Sequence, residues 1–277
     1  MRIVFAAVAA LLSGCTPVAL VNALVPASGY SVQAGIAYGP LARQALDLYV
    51  PDADRFPGPR PVVVFFYGGT WQSGERGDYR FVGQALASRG FVAVVPDYRL
   101  YPQARYPGFM QDAARALAWT KREIGARGGD PAHVVLMGHS AGAHIATMLA
   151  YNDRFLRAEG LARRDVRSVI GIAGPYDFVP TDPAVVALLT AEGPAADAMP
   201  TRYVRGGEPP TLLVTGEDDR TVSPGNTDRL VAKLKAAGSQ VMDLRYPGLS
   251  HVMAVGRLAA PVRDEALLEA IAAFARR

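Results

Sequence analysis

No stretch of this sequence constrains the fold more than Val134-Val135-Leu136-Met137-Gly138-His139-Ser140-Ala141-Gly142-Ala143-His144. An apolar run suited to a buried strand ends in Gly-x-Ser-x-Gly and passes straight into a helix-prone segment. A serine at such a strand-to-helix turn sits in strained backbone with its hydroxyl lifted clear of the sheet. The glycines remove side chains that would collide where strand and helix cross closely. The helix that follows aims its positive N-terminal end at the site, where negative charge would develop. Ser140 is therefore the candidate nucleophile, and a Gly-rich turn with a solvated serine is the plainer alternative.

The 277 residues are 50% hydrophobic and 19% charged, which fits one large globular domain with its own core. The formal charge is +4, carried mostly by arginine, since the lysines are Lys121, Lys233 and Lys235. The cluster Arg154, Arg157, Arg163, Arg164 and Arg167 is interleaved with Glu159 and Asp165. It reads as a solvated surface and no nucleic-acid motif accompanies it. With Cys15 as the single cysteine, no intramolecular disulfide can form, and four histidines without a cysteine partner make no structural zinc pattern.

Met1-Arg2 precedes the apolar run Ile3 to Leu12 and the small residues Ser13-Gly14. One basic residue, a short apolar core and a small-residue cleavage point describe an export signal over 1–14. The run is too short for a span of roughly 20 residues. Leu12-Ser13-Gly14-Cys15 resembles the lipobox of bacterial lipoproteins. That resemblance implies cleavage before Cys15 and lipid attachment there, with several acyl chains making a stable anchor. Thr16 is not the aspartate that retains many lipoproteins at the inner membrane, which favours an outer membrane in a Gram-negative envelope, facing the periplasm. A plain secretory signal and an uncleaved anchor are the competing readings, the second kept open by the apolar tract Val18 to Val25.

Residues 15–37 are expected as tether and irregular lead-in, and 38–277 as the folded domain. Strands are expected over 45–50, 61–67, 91–95, 133–137, 168–173, 212–215 and 241–244. Helices are expected over 79–88, 107–124, 140–151, 226–237 and 262–275. Apolar strands alternating with helices mean an α/β protein, with a mostly parallel sheet covered on both faces. Residues 178–210 are rich in Pro, Ala and Gly and read as a small cap insertion that shapes substrate entry.

A serine hydroxyl is a poor nucleophile until a base takes its proton. His133 begins the strand that ends at Ser140, roughly 20 Å away. His139 should point elsewhere, and His144 suits packing or a local hydrogen bond. His251 follows the last strand, in a loop where a mobile base belongs. The imidazole needs a carboxylate to fix its tautomer. Thr211-Leu212-Leu213-Val214-Thr215-Gly216-Glu217-Asp218-Asp219 ends in an acidic cluster, from which Asp219 is chosen; Asp218 is the rival and Asp177 a remoter option. The order Ser, Asp, His is the one expected for this strand-turn-helix architecture. Oxyanion donors are sought in the amides of Gly69 and Thr70, on the loop after a core strand, and of Ala141.

These residues resemble the α/β-hydrolase superfamily, in the branch that includes carboxylesterases, feruloyl-esterase-like proteins and kynurenine-formamidase-like enzymes. Tyr67-Gly68-Gly69-Thr70-Trp71 is similar to the branch's His-Gly-Gly-x-Trp, and Pro96-Asp97-Tyr98-Arg99-Leu100 to its strand-end motif. Gly138 to His144, Gly216-x-x-Asp219 and Ser250-His251 match the elbow, acid and base. The likeness spans roughly residues 43 to 275. Tyr67 departs from the pattern: a phenol can brace the loop or point into the pocket as a donor. Asp97 and Arg99 are expected to be structural, pairing near that loop.

The resemblance implies a serine carboxylic-ester hydrolase of monomeric scale, with no metal or organic cofactor. Its substrate would be a small-molecule ester, short-chain or aryl. The alternatives are an arylformamidase or other amidase with the same triad, a serine peptidase, and a non-catalytic envelope binding protein that keeps the fold.

Overall fold

The computed structural model describes residues 17–277. Eight strands form one sheet: β1 (Tyr30–Ala37), β2 (Ala45–Pro51), β3 (Arg60–Phe66), β4 (Val92–Pro96), β5 (Gly129–His139), β6 (Ser168–Ile172), β7 (Thr211–Gly216) and β8 (Val241–Tyr246). Their order across the sheet is β1-β2-β4-β3-β5-β6-β7-β8. β1 and β2 pair antiparallel, as do β2 and β4, and every other pair is parallel. All residues of β4, β6 and β7 are buried. Burial at successive positions means that both faces are covered, which is why these strands read as unbroken Val, Ile and Leu runs.

The register aligns one rim. Phe66 pairs with Gly138, His139 with Ile172, Ile172 with Val214, and Gly216 with Tyr246. The loops after β3, β5, β7 and β8 therefore leave the sheet along the same edge. The chain runs outward from β3 to β4, then returns to place β5 on β3's other side. That reversal opens a crevice at the carboxyl ends of β3 and β5, where open α/β sheets bind ligands.

Helix α1 (Pro17–Ala23) precedes β1; α2 (Arg80–Ala87), α3 (Gly108–Glu123), α4 (Ala141–Tyr151), α5 (Arg154–Ala158), α6 (Pro183–Leu189) and α7 (Gly225–Ala236) lie between strands; α8 (His251–Gly256) and α9 (Glu265–Ala275) follow β8. Every residue of α4 is buried. Its four alanines and Gly142 let the backbone approach the sheet. α6 begins where Asp182 caps the amides of Ala184 and Val185, with Pro183 at the first helical position.

Two expectations for the lead-in are corrected. Residues 17–23 form a helix, tied to the body by Asn22, whose side chain donates to the carbonyls of Gly77 and Asp78 at 3.0 Å. Residues 30–37 form edge strand β1 rather than irregular chain. Its side chains are mostly exposed, so no apolar alternation marks it. The proposed signal and Cys15 lie outside the described residues. No helix among the described residues is long and apolar enough to cross a membrane. The arginine cluster is partly neutralised: Arg157 pairs with Asp153 at 2.9 Å, and Arg163 lies 3.9 Å from Glu208.

Candidate active site

Ser140 sits between β5 and α4 with φ 55° and ψ −123°. A non-glycine residue rarely adopts that conformation, and here several contacts enforce it. The Ser140 amide donates to the Ile172 carbonyl at 2.9 Å, and its carbonyl accepts from the His144 amide at 3.1 Å. The flanking glycines are sterically required. A β-carbon on Gly138 would lie 2.1 Å from the Gly142 carbonyl oxygen, and one on Gly142 would lie 2.0 Å from the Phe66 carbonyl oxygen.

The Ser140 Oγ lies 2.9 Å from His251 Nε2, and His251 Nδ1 lies 2.7 Å from Asp219 Oδ2. The carboxylate can only accept, so Nδ1 carries the proton and Nε2 is left to accept from the serine hydroxyl. The other Asp219 oxygen accepts from the amides of Thr221 and Val222 at 2.9 and 2.8 Å. Asp219 is buried, whereas Asp218 is exposed. Asp177 instead pairs with Arg229 at 3.5 Å. The acid and base loops touch because β7 ends in Gly216: a β-carbon there would lie 2.1 Å from the Leu249 carbonyl oxygen. His251 is the first residue of helix α8 rather than part of a mobile loop, a correction to the reading of the sequence. Six helical residues are too few for a periodic signal to stand out.

The loop after β3 is also strained. Gly69, Thr70 and Trp71 all have positive φ, at 115°, 55° and 57°. Its shape is held by the Gly69 carbonyl, which accepts from the amides of Gln72 and Ser73 at 2.9 and 3.0 Å. No protein acceptor among the described residues takes the amides of Gly69, Thr70 or Ala141. Thr70 and Ala141 line the cavity beside Ser140, and Gly69 does not. Tyr67 braces the loop from behind. Its hydroxyl donates to Asp97 at 2.8 Å and accepts from Arg43 at 2.7 Å, and its ring stacks on Tyr98 at 4.7 Å. Burial first, then Asp97, raises its pKa, so it stays a neutral phenol. Asp97 also pairs with Arg76, while Arg99 pairs with Asp112 at 2.7 Å. Both are structural, but they serve separate ion pairs.

The other histidines have distinct places. His133 donates to the Ala275 carbonyl at 2.7 Å, far along β5. His139 is buried and its Nε2 donates to the His251 backbone carbonyl at 3.1 Å. It thereby links the serine turn to the start of α8, a role with no signal in the sequence. Burial, and then the neighbouring His251, push His139 from its ordinary 6.5 down to about 3. His144 donates to the Ala198 carbonyl at 2.5 Å, reaching the 178–210 insertion rather than a local acceptor. Burial lowers it to about 4. Neither ring can act as a base of ordinary strength, and each keeps its Nδ1 without a partner among the described residues.

The cavity over Ser140 has a volume of about 310 Å³. Trp71, Ala141, Pro175, Phe178, Val185 and Val222 give it an apolar wall, and Thr70, Thr221, Ser223 and Asn226 add neutral polar groups. No charged side chain among the described residues lines it, which suits an uncharged ligand. Phe178 and Val185 come from the insertion. No group of His, Cys, Asp and Glu among the described residues has the arrangement of a metal site.

The sheet order, the strained serine turn and the position of the acid and base loops define an α/β-hydrolase fold. The chain belongs to the BD-FAE family, whose model matches residues 46–234. It is 32% identical over 236 residues to esterase LipC of Mycobacterium tuberculosis, covering 78% of this chain and 58% of that one. It is 28% identical over 251 residues to isoprenylcysteine alpha-carbonyl methylesterase of Arabidopsis thaliana, covering 79% of this chain and 56% of that one. The chain thus spans a little over half the length of these relatives. The fold also matches esterase B from Lactobacillus rhamnosis with a TM-score of 0.80 and 24% identity, covering 96% of this chain and 92% of that one.

Proposed function

We propose that the protein is a serine carboxylic-ester hydrolase. The observation that carries this reading is the hydrogen-bonded chain Ser140–His251–Asp219, with links of 2.9 and 2.7 Å. The esterases among its relatives support it. Ser140 attacks the ester carbonyl while His251 Nε2 takes the hydroxyl proton. Asp219 holds the imidazole and stabilises the imidazolium. The amides of Thr70 and Ala141, which line the cavity, donate to the oxyanion, with Gly69 as the third candidate read from the sequence; one such donor is worth about 3 kcal/mol of barrier. His251 then passes its proton to the departing alkoxide, and water attacks the acyl-enzyme by the reverse route. The small neutral cavity favours short-chain or aryl esters. Turnover of a short-chain p-nitrophenyl ester, compared with that of Ser140→Ala, tests the reading.

The placement proposed from the sequence is a lipid anchor at Cys15 in a bacterial envelope, facing the periplasm. Cys15→Ser should move the protein from the membrane fraction to the soluble fraction. Retention in the membrane would contradict it.

A further inference from the structure

The Ser140 cavity has a neighbour. Phe178 lines it and also lines a second, open cavity of about 510 Å³. Helix α7 passes both, with Asn226 in the wall of the first and Arg229 in the wall of the second. Three residues apart, they share a helix face and lie about 4.5 Å apart along its axis. Asp177 stitches the divide: its amide donates to Asn226 Oδ1 at 3.0 Å, and its carbonyl accepts from the Arg229 guanidinium. The Asp177 carboxylate and Arg229 also pair at 3.5 Å, so their charges cancel at one side of the second cavity. What remains for a ligand is apolar: Phe178, Val179, Pro180, Ala195, Ala196 and Met199. Val179 is 85% exposed, an apolar side chain left without cover on this wall.

The direction of the path follows from the chemistry. Ser140, Thr70 and Ala141 line the first cavity, but His251 does not. The departing alkoxide must stand by His251, so the first cavity takes the acyl side of the substrate. A continuation past Phe178 receives the far end of that acyl group.

We propose that the cavity beyond Phe178 is a second acyl subsite, with Phe178 as the divider, and that the substrates include esters of medium-chain acids whose tails reach it. This rests on the ester-hydrolase reading and extends its substrate class. The test compares kcat/KM for p-nitrophenyl butyrate and decanoate in the full chain. Ala196→Trp fills the second cavity from an exposed position, and the decanoate-to-butyrate ratio should fall about tenfold, the scale of hydrophobic-pocket discrimination. Phe178→Ala removes the divider and should raise the same ratio. A ratio unmoved by both variants overturns the subsite, as does a wild-type enzyme that hydrolyses butyrate and not decanoate. If wild type hydrolyses neither ester and a fluorophosphonate fails to label Ser140, the hydrolase reading itself fails and the subsite with it.

Discussion

Asp219 has two oxygens with divided tasks. One accepts two backbone amides, and the other faces the imidazole. Asp219→Asn keeps the size but supplies an amide that can also donate, so the tautomer of His251 is no longer fixed. The expected loss in kcat is about 10⁴-fold. Asp218→Asn, at an exposed position, should leave kcat within twofold or so of wild type, since surface changes away from such features are small. Steady-state kinetics of the two variants separates them. The adjacent pair also marks the limit of sequence reading. Both aspartates follow the same strand, and only the turn closed by the Asp219 carboxylate on Thr221 and Val222 decides which one points inward. His139 and His144 carry a second prediction. Both are held neutral, at about 3 and 4 against an ordinary 6.5. Below pH 6.5 the unfolded chain takes up protons that the folded chain refuses, so stability falls as pH drops from about 6.5 toward 4. Each histidine contributes a slope of up to about 1.4 kcal/mol per pH unit. Urea unfolding midpoints across that window should decline steadily; a flat profile would contradict the neutral assignment.

At the scale of elements, the β5–α4 turn is fixed by close backbone contact. Gly142→Ala would put a carbon against the Phe66 and Tyr67 carbonyls, at 2.0 and 2.5 Å. These are backbone atoms of the central strand and its exit, which cannot swing aside. The expected cost is at the upper end of the roughly 1–3 kcal/mol typical of overpacking, read as a lower thermal midpoint. Central strands announce themselves because they are buried on both faces. β1 does not, because most of its side chains face solvent. α6 was hidden in a Pro- and Ala-rich insertion, yet Asp182-Pro183 is a helix-start signal that would have found it. Tyr67 shows the converse. The motif marks the loop, but whether the phenol braces it or enters the cavity depends on Arg43 and Asp97, which are distant in sequence.

For the whole molecule, the sheet does the gathering. Residues 140, 219 and 251 are far apart in the chain, and parallel register brings the loops that bear them to one rim. That convergence was legible because the serine and acid motifs follow buried apolar strands; β8, half-buried and carrying Asp243 and Arg245, marks the base less clearly. The links from His139 to His251, and from His144 to the insertion, were not legible, because they join segments with no shared pattern. The account stands on Ser140 being the atom that attacks. The most direct test is kcat for p-nitrophenyl butyrate in wild type and Ser140→Ala, with peptide mapping of the fluorophosphonate adduct. The account predicts a loss of about 10⁶-fold in kcat and an adduct on Ser140 alone. Undiminished turnover in the alanine variant, or an adduct on another serine, would contradict it.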